Sequence, residues 1–337
     1  MELSVNLHEK SYKVHIEKGI LNNVNNFIDK NKKVLIISDD GVPSSYIQSV
    51  KNQFPMAFVF VFPHGEKNKS LETYIQVLQY LIDNSFSKAD YIIAVGGGVV
   101  NDLSGFVALT FKRGIHFVSI PTTTLSMVDA SIGGKTALNF SKVKNVIGGY
   151  HHPEVVLIDP ETLQTLPKRH FINGSIEALK VGILGDKELF DILKNTDFKE
   201  NYEEVIYRAL SYKIKIIEQD EHEEGVRKYL NFGHTFGHAI ESYFAMKNSL
   251  HGEAIGLGML LVSKDKPYYE DLKDLLKKWK VRVEVNVDED KILNLIKNDK
   301  KCSSDMVDLV VVDDFSQPKI IPTPVAELKK YLQGEEK

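Results

Sequence analysis

The chain has 337 residues, 43% apolar and 26% charged, and 42 Lys plus Arg against 46 Asp plus Glu leave a net charge of −4. That composition fits a globular chain, excludes disordered and fibrous classes, and at about 100–200 residues per domain predicts two domains. The mild acidity argues against a nucleic-acid partner, and the single cysteine, Cys302, excludes an intrachain disulfide and a cysteine-based zinc cluster and fits a reducing cytoplasm.

The opening MELSVNLHEK has no basic segment followed by an apolar one, so no secretory leader is expected. Apolar stretches such as 254–262 fall well short of the roughly 18 residues of a membrane span, so no membrane partner is expected either. In the first half, KVLIIS (33–38), MAFVFVF (56–62), YIIAVGGG (91–98), HFVSI (116–120) and VVLID (155–159) predict strands. Amphipathic segments such as SLETYIQVLQYLIDN (70–84) lie between them. Alternating strands and helices imply an α/β domain with a mostly parallel sheet. Continuous apolar runs imply strands buried on both faces.

From about Pro167 the pattern turns helical, through KELFDILKN, YEEVIYRALSYKIKIIEQ, FGHAIESYFAM, YEDLKDLLKKW and EDKILNLIKN. One strand-like run, VDLVVV (307–312), interrupts it. The domains are set at 1–165 and 166–337, with no flexible linker and the cleft between them as the default site.

YIIAVGGGVVNDLSGF is a strand, three glycines and then a helix. Gly96, Gly97 and Gly98 would let a diphosphate approach the backbone, and a helix start offers free N–H groups. The pattern is not GxGxxG, so a tight strand-to-helix turn is the competing reading. No Walker Lys-Ser/Thr pair is present, which disfavours an NTPase. PHGEKNKS (63–70) and PTTTLS (121–126) also follow predicted strands, where open α/β sheets bind ligands.

In NFGHTFGHAIE, His234 and His238 stand four apart on one helical face; His251 follows in SLHGEA and Glu177 precedes in SIEALK. Three imidazoles and a carboxylate suit a divalent ion such as zinc, and a catalytic site would use three and leave positions open. Ordinary polar or capping histidines are the alternative. The pattern is not HExxH, so a metalloprotease base is missing.

Cations lie beside these motifs: Arg113, Lys135, Lys144 with Asn145, Lys180, Lys213, Arg227 with Asn231, and the DKK run with Lys300 and Lys301. A phosphorylated, carboxylated substrate needs such groups, Arg as a bidentate grip and Lys as a point charge. Solvated surface charge is the alternative. Lys180, three after Glu177 on one helical face, fits that alternative least. Asp129 suits orienting a lysine or a substrate hydroxyl, or capping a turn.

Taken together, GGGVVNDLSGF, RGIHFVSIPTTTLSMVDASIGGKTALN, KNVIGGYHHP, VLIDPETLQTLP, DEHEEGVRKYLNFGHTFGHAIE and LHGEA resemble the 3-dehydroquinate synthase family, over about Lys33 to Lys301. The wider superfamily holds other sugar-phosphate cyclases and metal-dependent polyol dehydrogenases. The resemblance implies a Rossmann-like NAD-binding domain, a mostly helical metal- and substrate-binding domain, and a cytoplasmic homodimer. It maps zinc or cobalt onto Glu177, His234 and His251, leaving His238 at the substrate. NAD contacts map onto Gly65, Glu66, Lys69, Gly97, Gly98, Val99, Asp102, Thr122, Thr123, Lys135 and Lys144. Substrate contacts map onto Asp129, Lys135, Asn145, Lys180, Lys213, Arg227, Asn231, His238 and Lys300 or Lys301, with Arg113 reaching the neighbouring subunit's site.

The implied substrate is a seven-carbon 2-keto-3-deoxy sugar acid phosphate. The implied reaction runs through transient oxidation by NAD, phosphate elimination, re-reduction and intramolecular aldol closure, to 3-dehydroquinate in the shikimate pathway. The alternatives are another sugar-phosphate cyclase, a polyol or glycerol-phosphate dehydrogenase, and a non-catalytic relative; retention of the ionic set disfavours the last. Asn101 stands where the family has glycine, and a side chain there is expected to crowd the diphosphate or change the turn. Ser175, Ile176, Val181 and His64 are further departures, and the helix after LHGEA reads as shortened. They bear on efficiency and cofactor affinity more than on reaction class.

Overall fold

A computed structural model describes residues 1–8, 10–141, 143–195, 200–244, 249–298 and 305–333. Two compact units divide the chain. One takes in Met1–Pro167 and Tyr202–Ile214, the other Lys168–Asn201 and Lys215–Lys337.

The first unit holds β1 (Glu2–Asn6), β2 (Ser11–Ile16), β3 (Val34–Asp39), β4 (Ala57–Phe62), β5 (Tyr91–Gly96), β6 (His116–Pro121), β7 (Lys135–Phe140), β8 (Val143–Tyr150) and β9 (Val155–Ile158). Its helices include α1 (Ser44–Lys51), α2 (Leu71–Asp83) and α3 (Gly98–Thr110). Seven strands form one sheet in the order β1-β2-β9-β6-β5-β3-β4. Only β1 is antiparallel to its neighbour. All five strands expected from the apolar runs are present.

Strand β3 shows why those runs do not alternate. Leu35 and Ile37 pack into a core with Val77 and Leu81 of α2 and Val100 and Leu103 of α3. Val34 and Ile36 pack on the other face with Ile47 and Val50 of α1. All four strand residues are fully buried, each contributing about 1.5–3 kcal/mol. Helix α2 begins at Ser70, whose hydroxyl accepts the Thr73 N–H at 3.3 Å, and buries Thr73, Val77 and Leu81 at helical spacing.

The antiparallel pair β7–β8 lies outside the main sheet. Its residues Phe140, Val143 and Val146 remain 43–49% exposed while Thr136 and Leu138 are buried, so no continuous apolar run marks it in the sequence.

The second unit contains α4 (Lys168–Gly185), α5 (Lys187–Asn195), the end of α6 (Tyr202–Gln219), α7 (His234–Tyr243), α8 (His251–Leu261), α9 (Tyr269–Lys278) and α10 (Glu289–Lys297). β10 (Met306–Val312) and β11 (Pro318–Pro324) pair antiparallel. The expected helices α5, α6, α7, α9 and α10 are all present, and VDLVVV lies in β10. LHGEA itself opens α8, with Leu250 at its N-cap, and the helix ends at Leu261. No helix among the described residues is long and apolar enough to cross a membrane.

Close approach of α7 and α8 sets the geometry of this unit. Gly233, at φ 78, precedes α7 and lets the chain enter it left-handed. A Cβ there would meet Met259 Cγ at 2.6 Å and the Ile255 carbonyl at 2.9 Å. The start of α8 is pinned to α4, where Asn173 Oδ1 accepts the Gly252 N–H at 2.7 Å.

Candidate functional site

In the second unit, three helices converge on one carboxylate. Glu177 in α4 is 2% exposed, and Lys180 one turn on is 3% exposed. Glu177 Oε2 accepts from Lys180 Nζ at 2.5 Å. Glu177 Oε1 is buried and has no hydrogen-bond partner among the described residues. It lies 3.8 Å from His234 Nε2 and 3.5 Å from His251 Nε2. Glu177, His234 and His251 offer ligand atoms that all lie within 4.8 Å of one another.

Both imidazoles are oriented from behind. His234 Nδ1 donates to the Phe232 carbonyl at 3.1 Å, and His251 Nδ1 donates to Glu241 Oε2 at 3.0 Å. In the neutral ring each contact fixes the tautomer whose lone pair lies on Nε2. The orphaned Oε1 and two aimed Nε2 atoms fit a divalent metal with positions left open for substrate.

The electrostatics agree. Burial would raise the Glu177 carboxyl, but Lys180 and His251 hold it well below the usual carboxylate range. Burial would lower the His251 imidazole, but Glu177 and Glu241 push it up to about 9. The two carboxylates thus create a potential that favours a cation.

Glu241 is the residue that sequence reasoning misses. Its signal is position: it is seven residues after His234, on the same face of α7. Glu241→Gln keeps the size and loses the charged acceptor. Metal affinity is expected to fall about 10–100-fold in a competition titration with a chelator; an unchanged affinity would deny Glu241 this role.

His238 packs against the other two imidazoles, with ring centroids 5.2 Å from His234 and 5.9 Å from His251. It lines a cavity of about 290 Å³ with Asn231, His234, Lys228 and Asp308. Asn231 Nδ2 donates to Glu223 Oε1 at 2.6 Å. Arg227 is 3% exposed; its guanidinium donates to the Glu221 carbonyl and its N–H to Asp220. Lys300 and Lys301 lie outside the described residues.

In the first unit, the carboxyl ends of β5 and β6 lie side by side. They bring Gly97, Gly98 and Val99 beside Thr122 and Thr123; the Thr122 N–H donates to the Gly96 carbonyl at 3.0 Å. Lys69, 4% exposed, connects the loop after β4 to this end. Its ammonium donates to Asp102 at 2.9 Å and Asn145 at 2.5 Å, and lies 3.3 Å from Glu66. Burial opposes the Lys69 charge, but Asp102 and Glu66 raise its pKa.

Gly65 opens the loop at φ 102. Asn139, also missed, holds the loop from β7: its amide donates to the Glu66 carboxylate at 2.8 Å and its Oδ1 accepts the Asn145 N–H at 2.9 Å. Asn145 sits at φ 52.

Lys213 Nζ pairs with Asp129 Oδ1 at 2.8 Å. Lys135, Lys144 and Arg113 are exposed; Arg113, at φ 64, sits between Lys112 at φ 50 and Gly114 at φ 115.

The departures from the family pattern find their partners locally. Ile176 and Val181 are core residues, and Ser175 Oγ donates to the Phe171 carbonyl at 2.8 Å. His64 pairs with Asp40 at 2.6 Å on the surface. Asn101 is 5% exposed rather than facing the outer side of the turn.

His151 lines a small polar pocket with Asp102, Ser131 and Lys135. Burial, and then the charge of Lys10, lower its imidazole from the ordinary 6.5 to about 4; His152 also lowers it, and the Ile115 carbonyl and Glu154 oppose. The unfolded chain therefore binds this proton first as pH falls, and stability drops through the window from 6.5 to about 4. Thermal midpoints measured against pH are expected to fall less steeply there for His151→Gln; parallel slopes would refute the assignment.

Sequence models of the 3-dehydroquinate synthase N-terminal and C-terminal domains match residues 59–173 and 174–302. The 3-dehydroquinate synthase of Streptococcus thermophilus strain CNRZ 1066 is 39% identical, over 99% of this chain and 100% of that protein. That of Lactococcus lactis subsp. cremoris strain MG1363 is 38% identical with the same coverage. Among solved structures, ValA, a 2-epi-5-epi-valiolone synthase of Streptomyces hygroscopicus subsp. jinggangensis 5008 with NAD+ and Zn2+ bound, aligns with TM-score 0.87 and 27% identity, over 97% of each chain. A 2-deoxy-scyllo-inosose synthase aligns with TM-score 0.87 and 24% identity, over 98% of this chain and 99% of that one, and shows likeness of fold. Full-length identity to the curated synthases, with both domain models matched in order, establishes that this chain belongs to the 3-dehydroquinate synthase family.

Proposed function

We propose that this protein is a 3-dehydroquinate synthase, converting 3-deoxy-D-arabino-heptulosonate 7-phosphate to 3-dehydroquinate and phosphate in aromatic amino acid biosynthesis. The observation that carries the reading is the orphaned Glu177 Oε1, buried opposite two aimed imidazole nitrogens in a chain of this family.

Glu177, His234 and His251 would hold zinc or cobalt, and the turn at Gly97, Gly98 and Val99 with Glu66, Lys69, Asp102, Thr122, Thr123, Lys135 and Lys144 would hold NAD. When bound, the metal supplies Lewis-acid polarisation of a substrate hydroxyl and NAD a reversible hydride acceptor.

This chain's own groups do the rest. Lys180 holds Glu177 in its rotamer and adds positive charge where alkoxide develops. Arg227, Lys213 and Asn231 grip the substrate carboxylate, Arg227 as a bidentate fork. Lys135, Asn145, a lysine of the DKK run and Arg113 of the partner subunit take the phosphate. Arg113 stands exposed on a run of positive-φ residues, which supports that outward role in a homodimer. His238, beside both ligand imidazoles, moves a proton at the substrate. The lone cysteine supports a cytoplasmic location.

The test supplies the sugar acid phosphate, zinc and catalytic NAD, and measures phosphate and dehydroquinate together. Equal appearance of both without NADH build-up, stopped by a chelator, supports the synthase. Absence of phosphate release by a metal- and NAD-loaded protein overturns it.

A further inference from the structure

One side chain holds the turn between β5 and α3 from behind. Asn101 lies in the first turn of α3, 5% exposed. Its Nδ2 donates to the carbonyls of Gly96 at 3.2 Å and Gly97 at 3.1 Å. Its Oδ1 accepts the hydroxyl of Ser119, in β6, at 2.5 Å. The Gly97 carbonyl also accepts the backbone N–H of Asn101, at 3.0 Å. A single amide thus connects the end of β5, the turn, the first turn of α3 and the neighbouring strand.

A trans peptide is planar, so its C=O and N–H point in opposite directions. Drawing the Gly96 carbonyl toward Asn101 aims the Gly97 N–H away from it, and drawing the Gly97 carbonyl in does the same for the Gly98 N–H. At a helix start such N–H groups have no intrahelical acceptor and suit an anion. Glycines without Cβ sample many backbone conformations, and ordering them on ligand binding costs free energy. An anchored turn has met that cost during folding.

We infer that Asn101 is a positioning residue for the nucleotide: it locks the Gly96 and Gly97 peptides so that the following N–H groups present themselves to the diphosphate. This rests on the assignment of the glycine turn to NAD. The side chain that the sequence marks as an obstacle faces Ser119 and the sheet, and acts as the brace of the turn. Ser119 keeps it there.

NAD+ and zinc are titrated separately into wild type, Asn101→Ala, Ser119→Ala and the double variant by calorimetry, with circular dichroism as a check on folding. Asn101→Ala is expected to weaken NAD+ binding about tenfold, the scale of losing a buried hydrogen-bonding amide, and to leave zinc affinity unchanged. Ser119→Ala is expected to weaken NAD+ about threefold, and the double variant to be no worse than Asn101→Ala, because both act through one amide.

NAD+ affinities equal to wild type in the folded variants would overturn the inference, as would equal losses for NAD+ and zinc. If Asn101→Ala does not fold, Ser119→Ala decides alone: a selective loss of NAD+ affinity supports the inference and none overturns it. A wild-type protein that binds zinc but no NAD+ would overturn the cofactor assignment itself, and the inference with it.

Discussion

His251→Ala is expected to remove metal and activity together. Its Nε2 is one of three atoms that face one another around Glu177, and its loss leaves two ligands where a catalytic zinc site uses three. Bound metal measured by emission spectroscopy should fall from near-stoichiometric to near zero. Phosphate release should fall at least about a thousandfold, the scale of losing a main source of charge stabilisation. NAD+ binding, which uses other residues, should persist. A metal-free variant with full activity would contradict the site, and an inactive variant that keeps its metal would shift His251 to another role.

Lys69→Met is expected to damage stability and cofactor affinity at once. The Lys69 side chain is 5% exposed and is shared by Asp102, Glu66 and Asn145. Methionine fills similar volume but takes the Lys69 ammonium away from Asp102. The loss should be about 2 kcal/mol in urea denaturation, below the full buried-pair range because Asp102 keeps 23% side-chain exposure. NAD+ affinity should fall at least about tenfold. Lys69→Arg should not restore either quantity, since a rigid fork does not reproduce three separate contacts from one ammonium. Wild-type values in both measurements would reduce Lys69 to a bystander.

Periodicity explains which elements were legible. Strands β3, β5 and β6 announce themselves as β-branched runs because both sheet faces are covered. Amphipathic α5, α9 and α10 show a buried stripe against a polar face. Helices α4 and α8 have no bounds legible in the sequence for the opposite reason: they are buried on almost every side, so their sequences carry no stripe to set them. The pair β7–β8 hides because its outward residues are exposed and its register shifts between Leu138 and Phe140.

The chemistry follows a similar division. Residue type and spacing along the sequence were enough to nominate Glu177, His234, His238 and His251 as metal candidates, because metal ligation needs particular side chains, and the family resemblance is what set His238 apart. The same holds for the glycine run and the cations around it. What the chain order cannot carry is the second partner of each group. Glu241 behind His251, Asn139 behind Glu66 and Asn145, and Ser119 behind Asn101 meet their partners only when helices and strands distant in sequence pack together. The direction of the Asn101 side chain is the sharpest case. The sequence determined that an amide stands one turn into α3; the tertiary structure decided that it points at two glycine carbonyls and a strand hydroxyl, because a buried amide must find hydrogen-bond partners and packing offers them there.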